Sequence, residues 1–313
     1  MGGFRHPPVF LIKENNMDRR LFLKRAFGGI VLTGTPFFMS CAKGTSIRFG
    51  VITDLHYSKR KPYGTRFFPQ SIEKLKEAMD VFNRSNLDFL IELGDLKDQD
   101  NEPLRENTLA YLQEIEKVFQ SFSGPTYHVL GNHDMDSISK DDFFAYTSNY
   151  GKADKKAFYS FKVKDVKFIV LDANYNNDGT PYNCGNYTWT ETYIPQEEIE
   201  WLRNELTGSK YPVFIFIHQM LDSFSDIASS LCVNNAEEIV SLLEESGNVF
   251  AVFQGHHHAG HYSFRNNIHY WTMKGMIEGC LPENNSFAVV EIDPEGNICI
   301  DGFYNCEDRI LKK

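Results

Sequence analysis

One alternation constrains this 313-residue chain more than any other feature. Six apolar runs of strand character, at residues 47–53, 89–93, 126–130, 166–171, 213–217 and 249–254, are interleaved with segments of helical spacing at 71–83, 103–119, 196–206 and 236–245. Strand and helix alternating in this way predict an α/β fold built on parallel strands. After residue 260 the pattern changes to short strands alone, at 261–264, 268–273, 286–292 and 298–304. A parallel core to which antiparallel strands are added predicts two stacked mixed sheets flanked by helices, an αββα sandwich of four layers.

All but one of the six runs end in a residue that can bind a metal. The first leads into Asp54-Leu55-His56, the second into Gly94-Asp95 and the third into Gly131-Asn132-His133-Asp134. The fifth leads into His218 and the sixth into Gly255-His256-His257-His258. Ligand sites in open α/β folds gather beyond the carboxyl ends of the strands, so these five pieces are expected to converge. Residues two apart on a strand point to one side, which pairs Asp54 with His56 and His256 with His258. Taken singly, an Asp-x-His pair reads as a turn cap and Gly-Asp as a turn. The metal reading rests on all five occurring in order.

A hydrophobic fraction of 42% with 24% charged residues excludes a polytopic membrane protein and a disordered chain. The net charge of −10 argues against a general nucleic-acid surface. An acidic chain acting on phosphate esters needs local positive charge, from metal ions or a few arginines.

Residues 1–46 read as an export signal and short linker, which leaves 47–313 as one domain. A basic segment from Asp18 to Arg25, with the pair Arg19-Arg20, precedes an apolar stretch at 26–39 and then Ser40-Cys41. That stretch is shorter than the roughly 20 residues a membrane-spanning helix needs. The arrangement resembles a bacterial lipoprotein signal, which implies a periplasmic or membrane-anchored protein held only by a lipid on Cys41. The arginine pair also resembles a twin-arginine signal, and Met17 is an alternative start.

In its five blocks and their order the sequence resembles the calcineurin-like metallophosphoesterases. The resemblance implies their fold and two divalent ions side by side, with Asp54, His56 and His258 on the first, Asn132, His218 and His256 on the second, and Asp95 bridging. Such a mixture of oxygens and imidazoles suits Mn, Fe, Zn or Co better than Ca or Mg, with Mn foremost. Two ions about 3.5–4 Å apart would clamp a phosphoryl group and generate a bridging hydroxide as nucleophile. His133, expected to face away from Asn132, is the candidate to protonate the leaving oxygen, with Asp134 orienting its ring. Asp98 is a candidate acceptor behind a ligand histidine.

Beyond the shared blocks, Phe49-Gly50-Val51-Ile52, Gly64-Thr65-Arg66, the segment Gly275-Met276-Ile277-Glu278-Gly279 and Asp308-Arg309-Ile310 resemble the manganese-dependent ADP-ribose and CDP-alcohol diphosphatases. This implies a small phosphorylated metabolite as partner, a nucleotide diphosphate cleaved to a nucleoside monophosphate and a phosphorylated alcohol or sugar. Eukaryotic members of that branch carry Gln where this chain has His56. Imidazole binds metal more strongly than an amide, so the first site is expected to be tighter here. Arg66 reads either as a bidentate phosphate contact or as a solvated loop arginine. A general phosphodiesterase or phosphomonoesterase, and a non-catalytic metal-binding scaffold, are the alternative functions.

Residues 174–193 have no period. They read either as a surface excursion or as a lid whose Tyr182, Tyr187, Trp189 or Tyr193 contacts a substrate ring. His128 falls inside an apolar run and reads as a core or supporting residue, whereas His261 is close enough to the metal loop to be a candidate substrate contact.

Overall fold

The computed structural model describes residues 46–152 and 156–313. The expected export signal, the Cys41 lipid site and the alternative start lie outside the described residues.

Period-two alternation sorts the apolar side chains of each strand onto two faces, and both faces are used. In β5 (Val166–Val170), Phe168 and Val170 join one core while Ile169 joins another. Phe214 and Phe216 of β6 (Val213–Phe216), and Ala251 and Phe253 of β7 (Val249–Gln254), point inward with them, whereas Ile215 and Val252 point outward. Phe49 of β1 (Ile47–Ile52) stacks on Phe89 of β2 (Phe89–Glu92) at 4.8 Å. The Phe49 ring also meets Phe168, Phe216 and Phe253 edge-on at 5.7–5.8 Å, so an aromatic layer joins the two sheets face to face.

The first sheet continues from β2 to β3 (Thr126–His128), all three strands being parallel. On the other side of β1 come β10 (Ser286–Ile292), β11 (Ile298–Tyr304) and β12 (Arg309–Leu311), each antiparallel to its neighbour. The second sheet runs β4 (Tyr159–Val163), β5, β6, β7, β9 (Ile268–Thr272) and β8 (His261–Arg265), with β5, β6, β7 and β9 parallel. Among the described residues five α-helices flank the sheets: α1 (Ser71–Phe82), α2 (Arg105–Phe119), α3 (Lys140–Tyr146), α4 (Gln196–Thr207) and α5 (Ala236–Ser246). Leu75, Ala78, Met79 and Phe82 of α1 repeat at helical spacing and bury one stripe. On the opposite side Ile199, Leu202 and Leu206 of α4 and Ile239, Val240 and Leu243 of α5 close over Ile169, Ile215 and Val252. The four layers are those expected.

Two strands and one α-helix were not anticipated. Tyr159–Val163 is the outer partner of β5, Arg309–Leu311 is an edge strand, and Lys140–Tyr146 is a two-turn helix. That helix carries a reciprocal cap in which Ser139 Oγ accepts from Asp142 N and Asp142 Oδ2 accepts from Ser139 N. The late strands are not uniformly antiparallel either, since β9 pairs in parallel with β7.

Candidate metal centre

The ligand-type residues lie just past the strands rather than on them. Asp54, His56, Asp95 and His256 all have positive φ, between 47° and 67°, so strand alternation does not explain their convergence. Left-handed backbone at residues with a side chain costs about 1–3 kcal/mol each and persists where surroundings impose it. Here the surroundings are neighbouring loops. Asp54 N donates to Gly94 O at 3.0 Å, His56 N to Asp95 O at 2.8 Å and Gly255 N to His218 O at 3.0 Å. Two glycines permit this approach. A Cβ on Gly94 would collide with His218 Nδ1 and lie 2.7 Å from Gly131 N, and a Cβ on Gly131 would collide with Asp95.

Three of the histidines turn one ring nitrogen to a neighbouring oxygen and leave the other toward the site. His218 Nδ1 donates to Leu93 O at 2.8 Å, His258 Nδ1 pairs with Glu278 Oε1 at 2.7 Å, and His56 Nδ1 is 3.3 Å from Asp98 Oδ2. The Nε2 atoms converge on the carboxylates. Asp54 Oδ1 lies 3.2 Å from His258 Nε2 and 3.8 Å from His56 Nε2; Asp95 Oδ2 lies 3.2 Å from His218 Nε2 and 3.4 Å from His56 Nε2. The second oxygen of each aspartate is engaged with backbone. Asp54 Oδ2 accepts from His256 N and Asp95 Oδ1 from His133 N, at 3.1 and 2.8 Å.

The atoms left over fit a pair of cations. Asp54 Oδ1, Asn132 Oδ1, His218 Nε2 and His256 Nε2 are buried without a hydrogen-bond partner, and each such orphan costs about 1–3 kcal/mol. His56 Nε2 and His258 Nε2 face each other at 3.1 Å, which two bare lone pairs would not tolerate. Asp54, His56 and His258 form one cluster that could hold an ion, and Asp95, His218 and His256 another; Asn132 Oδ1 is buried without a partner, next in sequence to His133, whose N–H donates to Asp95 Oδ1.

Charge follows the same pattern. Burial pushes the Asp54 and Asp95 carboxyls up, but the surrounding imidazoles outweigh it and hold both well below the usual carboxylate range. Burial likewise opposes the charged form of His218, yet Asp95 beside it raises it to about 9. Burial and the nearby His218 pull His256 down to about 3, which leaves a neutral ring ready to ligate.

A model of the calcineurin-like phosphoesterases matches residues 47–260. The chain belongs to that family. As a calcineurin-like phosphoesterase it is similar to the manganese-dependent ADP-ribose/CDP-alcohol diphosphatases of Oryza sativa subsp. japonica and Arabidopsis thaliana. These are 25% and 23% identical, covering 79% and 81% of this chain and 88% and 93% of theirs. A 3',5'-cyclic-nucleotide phosphodiesterase of Nostoc sp. is 26% identical over 78% of this chain and 83% of its own. Among solved structures, a dimetal phosphatase from Danio rerio aligns with a TM-score of 0.71 at 19% identity, covering 85% of this chain and 98% of that one. The fold is that of the metallo-dependent phosphatases, and this calcineurin-like phosphoesterase is a metal-dependent phosphohydrolase of a dinuclear-metal family.

Around the cluster the structure redistributes one expected role. His133 lies in a 3-10 turn spanning residues 132–135. Its ring lies 4.7 Å from that of His56. The carboxylate that holds His133 Nδ1 is Asp136, at 2.9 Å, and not Asp134. Asp134 is buried and accepts from the backbone N–H groups of Gly131, Asp95 and Leu96 at 2.9–3.1 Å, so it fixes the two loops against each other. Burial opposes charge on His133, but Asp136 and Asp95 raise it to about 10. Lys97 Nζ also donates to the His133 carbonyl.

Arg66 stands at the rim, partly exposed, with Nε 3.7 Å from Glu278 Oε1. That carboxylate oxygen also holds His258, so Arg66 is connected to the first cluster through Glu278, a residue sequence reasoning did not assign. His128 is a core residue between Glu92 and Glu116, at 3.2 and 3.1 Å. His261 lies against Ser225 and Asp222.

Proposed function

We propose that this phosphohydrolase cleaves the phosphoanhydride bond of nucleotide diphosphates such as ADP-ribose or CDP-alcohols, at two divalent ions of which manganese is the preferred metal. Asp54, His56 and His258 hold the first ion, Asn132, His218 and His256 the second, and Asp95 both. The observation that carries this is the set of buried, partnerless donor atoms on Asp54, Asn132, His218 and His256 around Asp95. Likeness to two plant diphosphatases across nearly their whole length supports the substrate class.

When bound, the ion pair supplies Lewis acidity, polarising the phosphoryl oxygens and making a water nucleophilic near neutral pH. The chain supplies the rest. Asp136 engages His133 Nδ1, which leaves Nε2 to hold a proton for the departing oxygen. Arg66, its guanidinium open at the rim, binds a substrate phosphate. Buried walls keep bulk water from competing for the carboxylates. Similarity to a cyclic-nucleotide phosphodiesterase favours phosphodiester hydrolysis as a second reading of the same site.

The test is a panel of ADP-ribose, CDP-choline, 3',5'-cyclic AMP and a phosphomonoester, incubated with the manganese-loaded chain and resolved by chromatography. AMP with ribose 5-phosphate, and CMP with phosphocholine, are the expected products. Preference for the monoester overturns the diphosphatase reading. The basic and apolar residues before Cys41 also support export as a lipoprotein. Cys41→Ser should then release the chain from the membrane fraction, and unchanged fractionation contradicts that.

A further inference from the structure

Residues 174–193 divide sharply in what their aromatic rings do. Tyr182 is fully buried and stacks on Tyr187 with centroids 4.0 Å apart and planes 10° from parallel. The Tyr187 hydroxyl lies 2.7 Å from the Asn132 carbonyl and 2.6 Å from Asp136 Oδ1. Gly185 N donates to Met135 O and Cys184 N to Ile138 O, at 2.9 and 3.1 Å, so the excursion is laced to the segment that carries Asn132 and His133. These tyrosines are struts. Trp189, two residues beyond Tyr187, is the large aromatic of the excursion left open, 46% exposed, and its ring lies 5.9 Å from that of His256. Arg66 stands beside Glu278, which holds His258.

We propose that Trp189 is the platform on which the nucleobase of the substrate stacks, with the nucleoside end of the diphosphate on the His256 side and the other phosphate toward Arg66. The inference rests on the nucleotide-diphosphate reading of the site. An exposed indole has a broad apolar face, and base stacking on such a ring accepts purines and pyrimidines alike because every base presents a π-face. That tolerance suits a site that takes both adenine and cytosine nucleotides. The anchoring of Tyr187 to Asp136 and Asn132 fixes the distance between the platform and the reacting groups, as a specificity element must be fixed.

The experiment compares wild type, Trp189→Ala and Trp189→Phe as manganese-loaded full chains, with calorimetric Kd values for AMP and for inorganic phosphate. Trp189→Ala should weaken AMP ~5- to 150-fold, the change that about 1–3 kcal/mol of stacking converts to at 1.4 kcal/mol per decade, while phosphate binding stays unchanged. Trp189→Phe should restore most of the difference. Unchanged AMP affinity in Trp189→Ala, or equal weakening of AMP and phosphate, overturns the platform. So does a wild type that binds AMP no more tightly than phosphate. The AMP contrast intact in a chain that does not hydrolyse ADP-ribose overturns the diphosphatase reading alone.

Discussion

Gly131→Ala isolates the packing on which the metal centre depends. The backbone at Gly131, φ −95° and ψ 169°, is open to any residue, so alanine brings no conformational strain. Its Cβ would nevertheless lie 2.8 Å from Asp95 Cγ, against 3.4–4 Å for ordinary contact, and closer still to Asp95 Oδ1 and N. Asp95 or the 131–134 turn must therefore move by about 0.6 Å or more, since 3.4 less 2.8 is 0.6. Overpacking of this kind costs about 1–3 kcal/mol of stability. A displacement approaching 1 Å at a reacting centre costs about 100-fold in rate. Urea denaturation, metal content and hydrolysis of a nitrophenyl phosphodiester measure these three effects together. Gly247→Ala is the control, because Gly247 has φ 67° with nothing within 4 Å of a Cβ, so it loses about 1–2 kcal/mol without losing metal. A Gly131→Ala chain with wild-type metal content and rate would refute the packing argument.

Other outcomes follow from the same geometry. Asp136→Asn should lower kcat by about 10- to 100-fold with metal content retained, a part of the roughly 100- to 10,000-fold that general acid catalysis contributes, because His133 keeps its ring and loses only its charged partner; loss of metal instead would assign Asp136 to the ligand set. Arg66→Ala should raise KM and spare metal content, and unchanged kinetics would remove Arg66 from the site. His128→Ala should cost about 3–5 kcal/mol in chemical denaturation, since it strands the buried Glu116 carboxylate and takes from Glu92, whose carboxyl burial pushes up to about 8, its imidazole partner, and a cost below 1 kcal/mol would contradict a charged network there. That network has a defined pH sense. Burial lowers His128, but Glu116 and Glu92 raise it to about 10, above its ordinary 6.5. Its stabilising contribution is therefore full below pH 6.5 and is lost as pH rises through 10, so the stability gap between wild type and His128→Ala should narrow across that range.

What the sequence disclosed followed from local periodicity. The core strands matched to within a residue, apart from 126–130 against Thr126–His128, because runs of Val, Ile and Phe leave few alternatives, as at 213–217 against Val213–Phe216. Tyr159–Val163 escaped because Ser160 and Lys162 interrupt the apolar run, though the alternation Tyr-Ser-Phe-Lys-Val was present. Ser139 followed by Asp142 is a capping signal that would have found the α3 helix. In the site, the motifs named the residues that converge, whereas their supports came from elsewhere in the chain. Glu278 reaches His258 across 20 residues and Tyr187 reaches Asp136 across 51, separations on which no local pattern bears. Asp136 was nearer to hand. A 3-10 turn brings residues three apart together, and assuming extended backbone at Asn132–Met135 directed the role to Asp134.

The most direct test of the account is the metal stoichiometry of the chain after chelation and reconstitution, measured by titrating manganese into wild type and Asp95→Asn. Two ions per wild-type chain, falling to one or none when the carboxylate proposed to hold both is altered, is the predicted result. A single ion per wild-type chain, or two ions that persist in Asp95→Asn with unchanged affinity, would contradict it.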